Sequence, residues 1–276
     1  MACRIMNADS KVPEAPNYGL DAPGVVRNLF VVAAVGLLLW GLKALRCWSG
    51  LLIIPLFGLK FVFPLSAIGL AMGTTCGFMG AWMVYESKLG KLRRRERLLN
   101  RIVWTGNEQV LDVGCGRGLM LIGTAKRLKT GRATGIDIWQ TEDLTGNHAE
   151  AALENARREG VAERVDVKTT DMRRMPFPDE TFDVVVSLAA IHNLYQVAEH
   201  AKAVSEIARV LKPGGVVLID DIRHHQEYRA VLSEKGCAEI RRLDAPIVSW
   251  FFTVLTMGSL RPVTLLARKS PSQGLG

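Results

Sequence analysis

The sequence predicts a doubly wound α/β domain preceded by an apolar helical hairpin, and three observations carry that prediction. From residue 108 onward, short apolar runs alternate with amphipathic stretches, the texture of a parallel sheet with crossover helices. The run from Phe182 to Leu188 has the valine-rich centre of a strand buried on both faces. Upstream, Phe61 to Tyr85 gives 25 residues without a charge, long enough to cross a bilayer.

Residues 1–23 are polar, carry Pro13, Pro16 and Pro23, and read as a flexible tail. Val25 to Leu42 is apolar except for Arg27 and Asn28, and Lys43 and Arg46 follow it. With its long side chains reaching for the interface, about 20 residues are available for a first span. Leu51 to Leu59, interrupted by Pro55, reads as a short interfacial or re-entrant connection to the second span, and residues 24–85 together form the expected membrane anchor. A cleaved signal peptide is a rival reading of the first segment, but no basic region or small-residue cleavage site frames it. A buried hairpin of a water-soluble protein is the other rival. Gly69, Gly73 and Gly77 recur every four residues, with Gly80 a turn further, so this helix offers a face for close packing. Its partner is either the first helix, through Ala33, Gly36 and Gly41, or the same helix of a second protomer in a homodimer.

The formal net charge is +8, and residues 102–276 carry 22 basic and 22 acidic side chains, so the whole excess lies before residue 102. A nucleic-acid surface on the globular part is therefore disfavoured. The basic cluster, Glu86-Ser-Lys-Leu-Gly-Lys-Leu-Arg-Arg-Arg-Glu-Arg, follows the second apolar run and places that end, and with two spans both termini, on the cytoplasmic side. Over residues 86–104, Leu89, Leu92, Leu99, Ile102 and Val103 share a helical face, as in a helix lying at the lipid headgroups. The five cysteines are scattered without a C-x-x-C pair, which argues against a metal site or a disulfide framework.

The globular domain, residues 105–270 with 271–276 as a tail, reads as follows. Strands are expected at Gln109–Val113, Ala133–Ile138, Val165–Thr169, Phe182–Leu188, Val216–Asp220, Ala238–Leu243 and Val263–Arg268, and helices over 119–128, 148–159, 197–211 and 228–235. The last strands form an edge hairpin. Between the first strand and helix runs Val110-Leu-Asp-Val-Gly-Cys-Gly-Arg-Gly-Leu-Met. Its glycines let backbone approach a ligand, and the next helix offers N–H groups to an anion. A dinucleotide loop would need glycine where Leu119 stands, and Asp112 suits a ligand that carries an ammonium group.

This run resembles motif I of class I S-adenosylmethionine-dependent methyltransferases, D-x-G-x-G-x-G, with Asp112, Gly114, Cys115, Gly116 and Gly118 on the cofactor. The resemblance covers roughly residues 95–268 and implies their Rossmann-like seven-stranded sheet. It further implies that Asp137 accepts from the ribose hydroxyls, that Ile138 and Trp139 contact the adenine, that Asp171 and Met172 read the adenine edge, and that Ser187 lies near the cofactor. Asp171 also reads as a plain loop cap. The ensemble is most similar to the ubiquinone/menaquinone-biosynthesis methyltransferases and their small-molecule relatives. The fourth strand ends in Ser-Leu-Ala-Ala rather than N/D-P-P-Y, which argues against amino-methylating DNA and protein enzymes.

Methyl transfer by in-line displacement needs alignment, and a base only where the nucleophile arrives protonated. His192, just past the fourth strand, is the candidate catalytic residue, with Asn193 and Tyr195 as polar helpers; a structural His beneath the next helix is the alternative. His224 and His225 read as substrate contacts or as solvated loop residues, and no metal site is expected there. The apolar segment Pro246–Met257 is either a wall over the substrate, a membrane contact or core packing. The function this predicts is methylation of a small, lipophilic acceptor by a membrane-anchored enzyme. A small soluble thiol or amine acceptor, or a cofactor-binding scaffold without catalysis, are the alternatives.

Overall fold

A computed structural model describes residues 15–142, 144–244, 250, 253–254 and 261–271. The chain divides into two compact units: Gly19–Arg94 with Gln140–Asn147, and the remainder. Most of the apolar segment Pro246–Met257 lies outside the described residues.

In the first of these units, α1 (Pro23–Ala44) begins on a proline, whose missing N–H would have no partner there in any case. A hairpin of β1 (Leu52–Leu56) and β2 (Leu59–Phe63) follows, and then α2 (Leu65–Tyr85). The connection read from sequence as interfacial or re-entrant is thus a β-hairpin, because Phe57 and Gly58 both take positive φ (49° and 78°), the geometry of a two-residue hairpin turn. α1 and α2 pack at backbone distance: a Cβ on Gly36 would fall 2.3 Å from the Gly69 carbonyl oxygen. Gly73 faces Ala33 and Leu37, and Gly80 faces Phe30. The glycine stripe is therefore filled within the chain.

The basic stretch departs from its expected role. After a π-turn at Glu86–Gly90, α3 (Lys91–Leu99) runs on, and its Lys91 is buried, donating to the Gly19 carbonyl and to Asp21, each at 3.1 Å. Arg95 is buried too, donating to the Tyr18 hydroxyl, and Leu98, Leu99 and Ile102 are buried below it. The apolar face read from the sequence is thus divided: Leu99 and Ile102 are buried, whereas Leu89 and Val103 are exposed. Of the expected tail, residues 1–14 lie outside the described residues, and the part next to α1 is held by side-chain bonds. Asn17 exchanges hydrogen bonds with Asn155, and the buried Tyr18 hydroxyl donates to Glu159.

The second unit holds a seven-stranded sheet. Its elements are β3 (Gln109–Val113), α4 (Leu119–Ala125), β4 (Arg132–Asp137), α5 (Ala149–Arg158), β5 (Val165–Thr169), β6 (Phe182–Leu188), α6 (Val197–Val210), β7 (Leu211–Asp221), α7 (His225–Glu234), β8 (Cys237–Arg242) and β9 (Val263–Lys269). The spatial order is β5-β4-β3-β6-β7-β9-β8, parallel from β5 to β7, with β9 antiparallel to both of its neighbours. The expected strands and helices are all present, within a few residues at their ends. The core is apolar side chains of β3, β6, β7 and β9 under α6 and α7, among them Leu111, Val185, Ile207, Ile219 and Leu265.

Candidate active site

The chain leaves β3 toward β4 and β5 on one side and returns through β6 to β7 on the other. This reversal puts the crevice of the sheet at the carboxyl ends of β3 and β6. The turn after β3 is built for close approach: Gly114, Gly116 and Gly118 have φ of 72°, 51° and 85°, which only glycine adopts freely. A Cβ on Gly114 would sit 2.2 Å from that of Ala190 and 3.6 Å from Met172 Cε, so the segments after β3, β5 and β6 meet here.

Asp137 closes β4 beside this turn. Its carboxylate accepts from the Gly116 N–H at 2.8 Å and the Trp139 N–H at 2.6 Å, and a carboxylate so held has lone pairs for further donors. Ile138 projects an exposed apolar side chain next to it. A glycine cradle that a Cβ would fill, an anchored carboxylate and an apolar wall fit the methionine, ribose and adenine parts of S-adenosylmethionine.

The other sequence-predicted residues each have a partner within the fold. Asp112 is buried and accepts from the Leu121 N–H at 2.7 Å, so it takes one of the helix N–H groups that the sequence leaves for a ligand. Burial pushes its pKa up to about 8, against the Leu121 hydrogen bond and with help from the charge of Asp137. Cys115 turns its thiol into the core under Gly135, and burial together with Asp112 and Asp137 raises its pKa well above the usual thiol range, leaving only its backbone for a ligand. Ser187 is buried and donates to the Val113 carbonyl at 2.9 Å, a β6-to-β3 tie rather than a cofactor contact. Trp139, at φ 63°, gives its indole N–H to Thr169 Oγ1 at 2.8 Å. Asp171 accepts a forked pair of bonds from Arg173, which holds its carboxyl below the ordinary carboxylate range, and Arg173 in turn reaches Glu199 on α6. The sequence shows the arginine after Asp171-Met172 but not its pairing.

His192 lies in a 3₁₀ turn, Ile191–Asn193, just past β6. Its Nδ1 is 2.5 Å from Asp221 Oδ1, and its backbone N–H donates to Asp221 Oδ2 at 3.1 Å. Asp221, at the end of β7 with a side chain 1% exposed, also accepts from the Tyr228 hydroxyl at 3.1 Å. The sequence did not show that Asp221 and Tyr228 would join His192, although the adjacent Asp220-Asp221 pair was an available signal. Tyr195 is 96% exposed and makes no part of this arrangement.

Residues 111–219 match the family model described as a methyltransferase domain. A phosphatidylethanolamine N-methyltransferase of Cereibacter sphaeroides is 33% identical over 140 residues, 50% of this chain and 63% of that one. A demethylmenaquinone methyltransferase of Lactiplantibacillus plantarum is 29% identical over 164 residues, 58% of each chain. A solved geranyl diphosphate methyltransferase, in complex with SAM, superposes with a TM-score of 0.52 at 16% identity, covering 68% of this chain and 88% of the other. The chain spans about half the length of the curated relatives it matches. The globular part thus matches a methyltransferase domain over residues 111–219, and its sheet has the Rossmann-like fold of solved methyltransferases.

Proposed function

We propose that the whole protein is a membrane-anchored methyltransferase that transfers the methyl group of S-adenosylmethionine to a lipophilic small molecule whose nucleophile arrives protonated. The observation that carries this reading is the His192–Asp221 pair at the crevice. S-adenosylmethionine supplies, when bound, a methyl group made electrophilic by the sulfonium. Gly114, Gly116 and Gly118 cradle its methionine part, with Asp112 buried behind them holding the start of α4 through the Leu121 N–H. Asp137 holds the ribose hydroxyls, Ile138 and Trp139 flank the adenine, and Asp171 with Met172 reads its edge. Asp221 accepts the Nδ1 proton of His192, so Nε2 presents its lone pair to the acceptor and takes the acceptor's proton as the new bond forms. The buried carboxylate then stabilises the imidazolium.

Lipophilicity is supported by the two helices, α1 of 22 residues and α2 of 21, both apolar enough to span a bilayer and exposing most of their large side chains. The lipid and quinone acceptors in the relatives' names agree with it. Exposed Lys88, Arg93, Arg97 and Arg101 beyond α2 favour a cytoplasmic catalytic unit. The glycine stripe we assign to the hairpin rather than to a homodimer, since α1 fills it. The test is an untargeted comparison of methylated lipids and metabolites in cells with and without the protein. It is joined to transfer assays of the full chain in lipid nanodiscs. Asp137→Ala should lose both cofactor binding and transfer, and His192→Ala transfer alone, by about 10²–10⁴-fold. Cofactor bound with no methylated product in any extract would overturn the enzymatic reading.

A further inference from the structure

A second polar cluster lies outside the machinery just described. His200, on the first turn of α6, is buried; His224 and Glu227, at the start of α7, are half-buried. Glu227 Oε2 is 3.4 Å from His200 Nδ1, Glu227 Oε1 is 3.1 Å from His224 Nδ1, and the two imidazole rings stack with centroids 4.3 Å apart. All three ligand atoms fall within 4.8 Å of one another.

The proton inventory of this cluster is informative. The Nε2 of His200 lies 2.9 Å from the Leu194 carbonyl, which can only accept, so Nε2 carries the proton. In the neutral ring Nδ1 is then a lone pair aimed at a carboxylate, two acceptors facing each other in a buried place. Something positive belongs between them. One dication shared by two neutral imidazoles and a carboxylate satisfies every group at once. The His200 Nδ1–Glu227 Oε2 spacing of 3.4 Å matches the edge of a tetrahedral shell with bonds of about 2.0–2.1 Å, which is about 3.3–3.4 Å, and the remaining ligand atom, within 4.8 Å, reaches the shell by a small side-chain shift. A histidine whose other nitrogen donates to a backbone carbonyl is also the usual setting of a metal ligand. His224 itself stands in the left-handed region, at φ 60°, as the residue that precedes α7.

We propose that His200, His224 and Glu227 bind a zinc ion, with a fourth coordination position open to solvent. Two imidazoles and one carboxylate are a donor set that zinc favours, whereas magnesium and calcium take oxygen shells. The ion ties α6 to the start of α7, and so ties the turn that carries His192 to the strand that ends in Asp221. Tyr228 sits against both, its ring 6.0 Å from that of His200 and its hydroxyl on Asp221. The site stands whether or not methyl transfer is the reaction. It also departs from the sequence expectation of no metal there, which weighed only the adjacent histidines and not a ligand from a different helix.

The test uses the full chain in detergent, stripped with a chelator and then titrated with Co²⁺ or Zn²⁺ alone. One Co²⁺ per chain should bind with the visible ligand-field absorption of a low-coordinate nitrogen–oxygen site, without a thiolate charge-transfer band, and Zn²⁺ should displace it. Zn²⁺ should raise the melting temperature of the wild type and leave that of Glu227→Gln unmoved. His224→Ala and Glu227→Gln should each weaken binding at least ~100-fold, beyond the usual effect of altering a group that merely orients a ligand. His225→Ala, next in sequence but outside the cluster, should bind as the wild type does. Should His224→Ala fail to fold, Glu227→Gln, which keeps size and shape, decides. Failure of the wild type to bind one metal per chain overturns the proposal, as do a thiolate band or equal losses in His225→Ala and His224→Ala.

Discussion

In the sheet unit, the large apolar side chains are the hidden ones: Leu111, Leu121, Ile136 and Ile207 are wholly buried, and charge lies outside or in pairs. In the α1–α2 hairpin the order is reversed. The hidden positions there are small, Ala33, Gly36, Gly69 and Gly73, while Leu38 is 61% and Phe78 70% exposed. If the hairpin lies in lipid, as we propose, each arrangement answers a different solvent. Water drives large apolar groups together, whereas in lipid no such force acts between helices and close backbone packing takes its place. The inside-out pattern of the hairpin, made by side-chain size rather than by charge, is what the membrane anchor we propose requires.

The largest effect should come from attacking the small-residue contact. Gly36→Leu drives a side chain into the Gly69 carbonyl and should cost ~3 kcal/mol or more, read as loss of the thermal transition of the full chain in detergent. Leu38→Ala, on the outer face, should shift that transition by less than about 0.5 kcal/mol. In the sheet, Leu111→Ala should cost about 2–5 kcal/mol, since there the large side chain is the packing element. If Leu38→Ala destabilises the chain as strongly as Leu111→Ala does, the hairpin is an ordinary buried one and the contrast fails. Membranes washed in alkaline carbonate give a second check, with the chain expected to remain in the pellet.

Next in size is a pH effect confined to the sheet unit. The folded chain holds on Asp112 a proton that the unfolded chain gives up near the ordinary carboxylate pKa of 3.8, since the folded value is about 8. The folded pKa is the higher one, so the contribution is full below the unfolded value and is lost as pH rises toward the folded one. Each pKa unit is worth about 1.4 kcal/mol. Between about pH 5 and about pH 8, wild type should therefore lose ~2–4 kcal/mol relative to Asp112→Asn. Denaturant melts of the two proteins at each pH check this. A constant difference would mean that Asp112 stays ionised in the fold.

How much of this was legible in the sequence differs between the two regions for the same physical reason. The seven strands and their helices followed from apolar periodicity, and the crevice from glycines that must take positive φ. The apolar spans followed from a run of uncharged residues, but the β-hairpin between them did not, because its signal is one Phe57-Gly58 turn inside an otherwise uniform apolar stretch. Pairings across the sequence were out of reach: Lys91 with Asp21, His192 with Asp221, Arg173 with Glu199, His200 with Glu227. Each joins residues on separate elements, and a charged side chain bears no local mark of the partner that topology will bring to it. Buried roles for Asp112, Cys115 and Ser187 were hidden likewise, since a ligand-facing and a core-facing side chain can occupy neighbouring positions of one turn.

Two smaller predictions sharpen the sheet side of the comparison. Ser187→Ala removes the hydroxyl bonded to the Val113 carbonyl and should cost about 1–2 kcal/mol of stability. Cofactor affinity by calorimetry should not change, because that hydroxyl is spent between β6 and β3. A tenfold loss of affinity with unchanged stability would return Ser187 to the cofactor.

The last concerns Tyr18, which precedes the hairpin in sequence yet belongs with the sheet unit. Its hydroxyl donates to Glu159 Oε1 at 2.9 Å and accepts from Arg95 at 3.2 Å, and the Arg95 guanidinium lies 5.8 Å from its ring centre. Tyr18→Phe keeps the buried ring and the cation above it but deletes both hydroxyl bonds. Glu159 retains Lys126, and Arg95 retains Glu96, so neither charge is stranded. The expected loss is therefore only about 1 kcal/mol, seen as a small drop in the melting temperature with the hairpin contacts untouched. A loss several times larger would show that the segment ahead of α1 is held by its polar bonds rather than by burial, and that the water-facing rule of the sheet unit weakens at this edge.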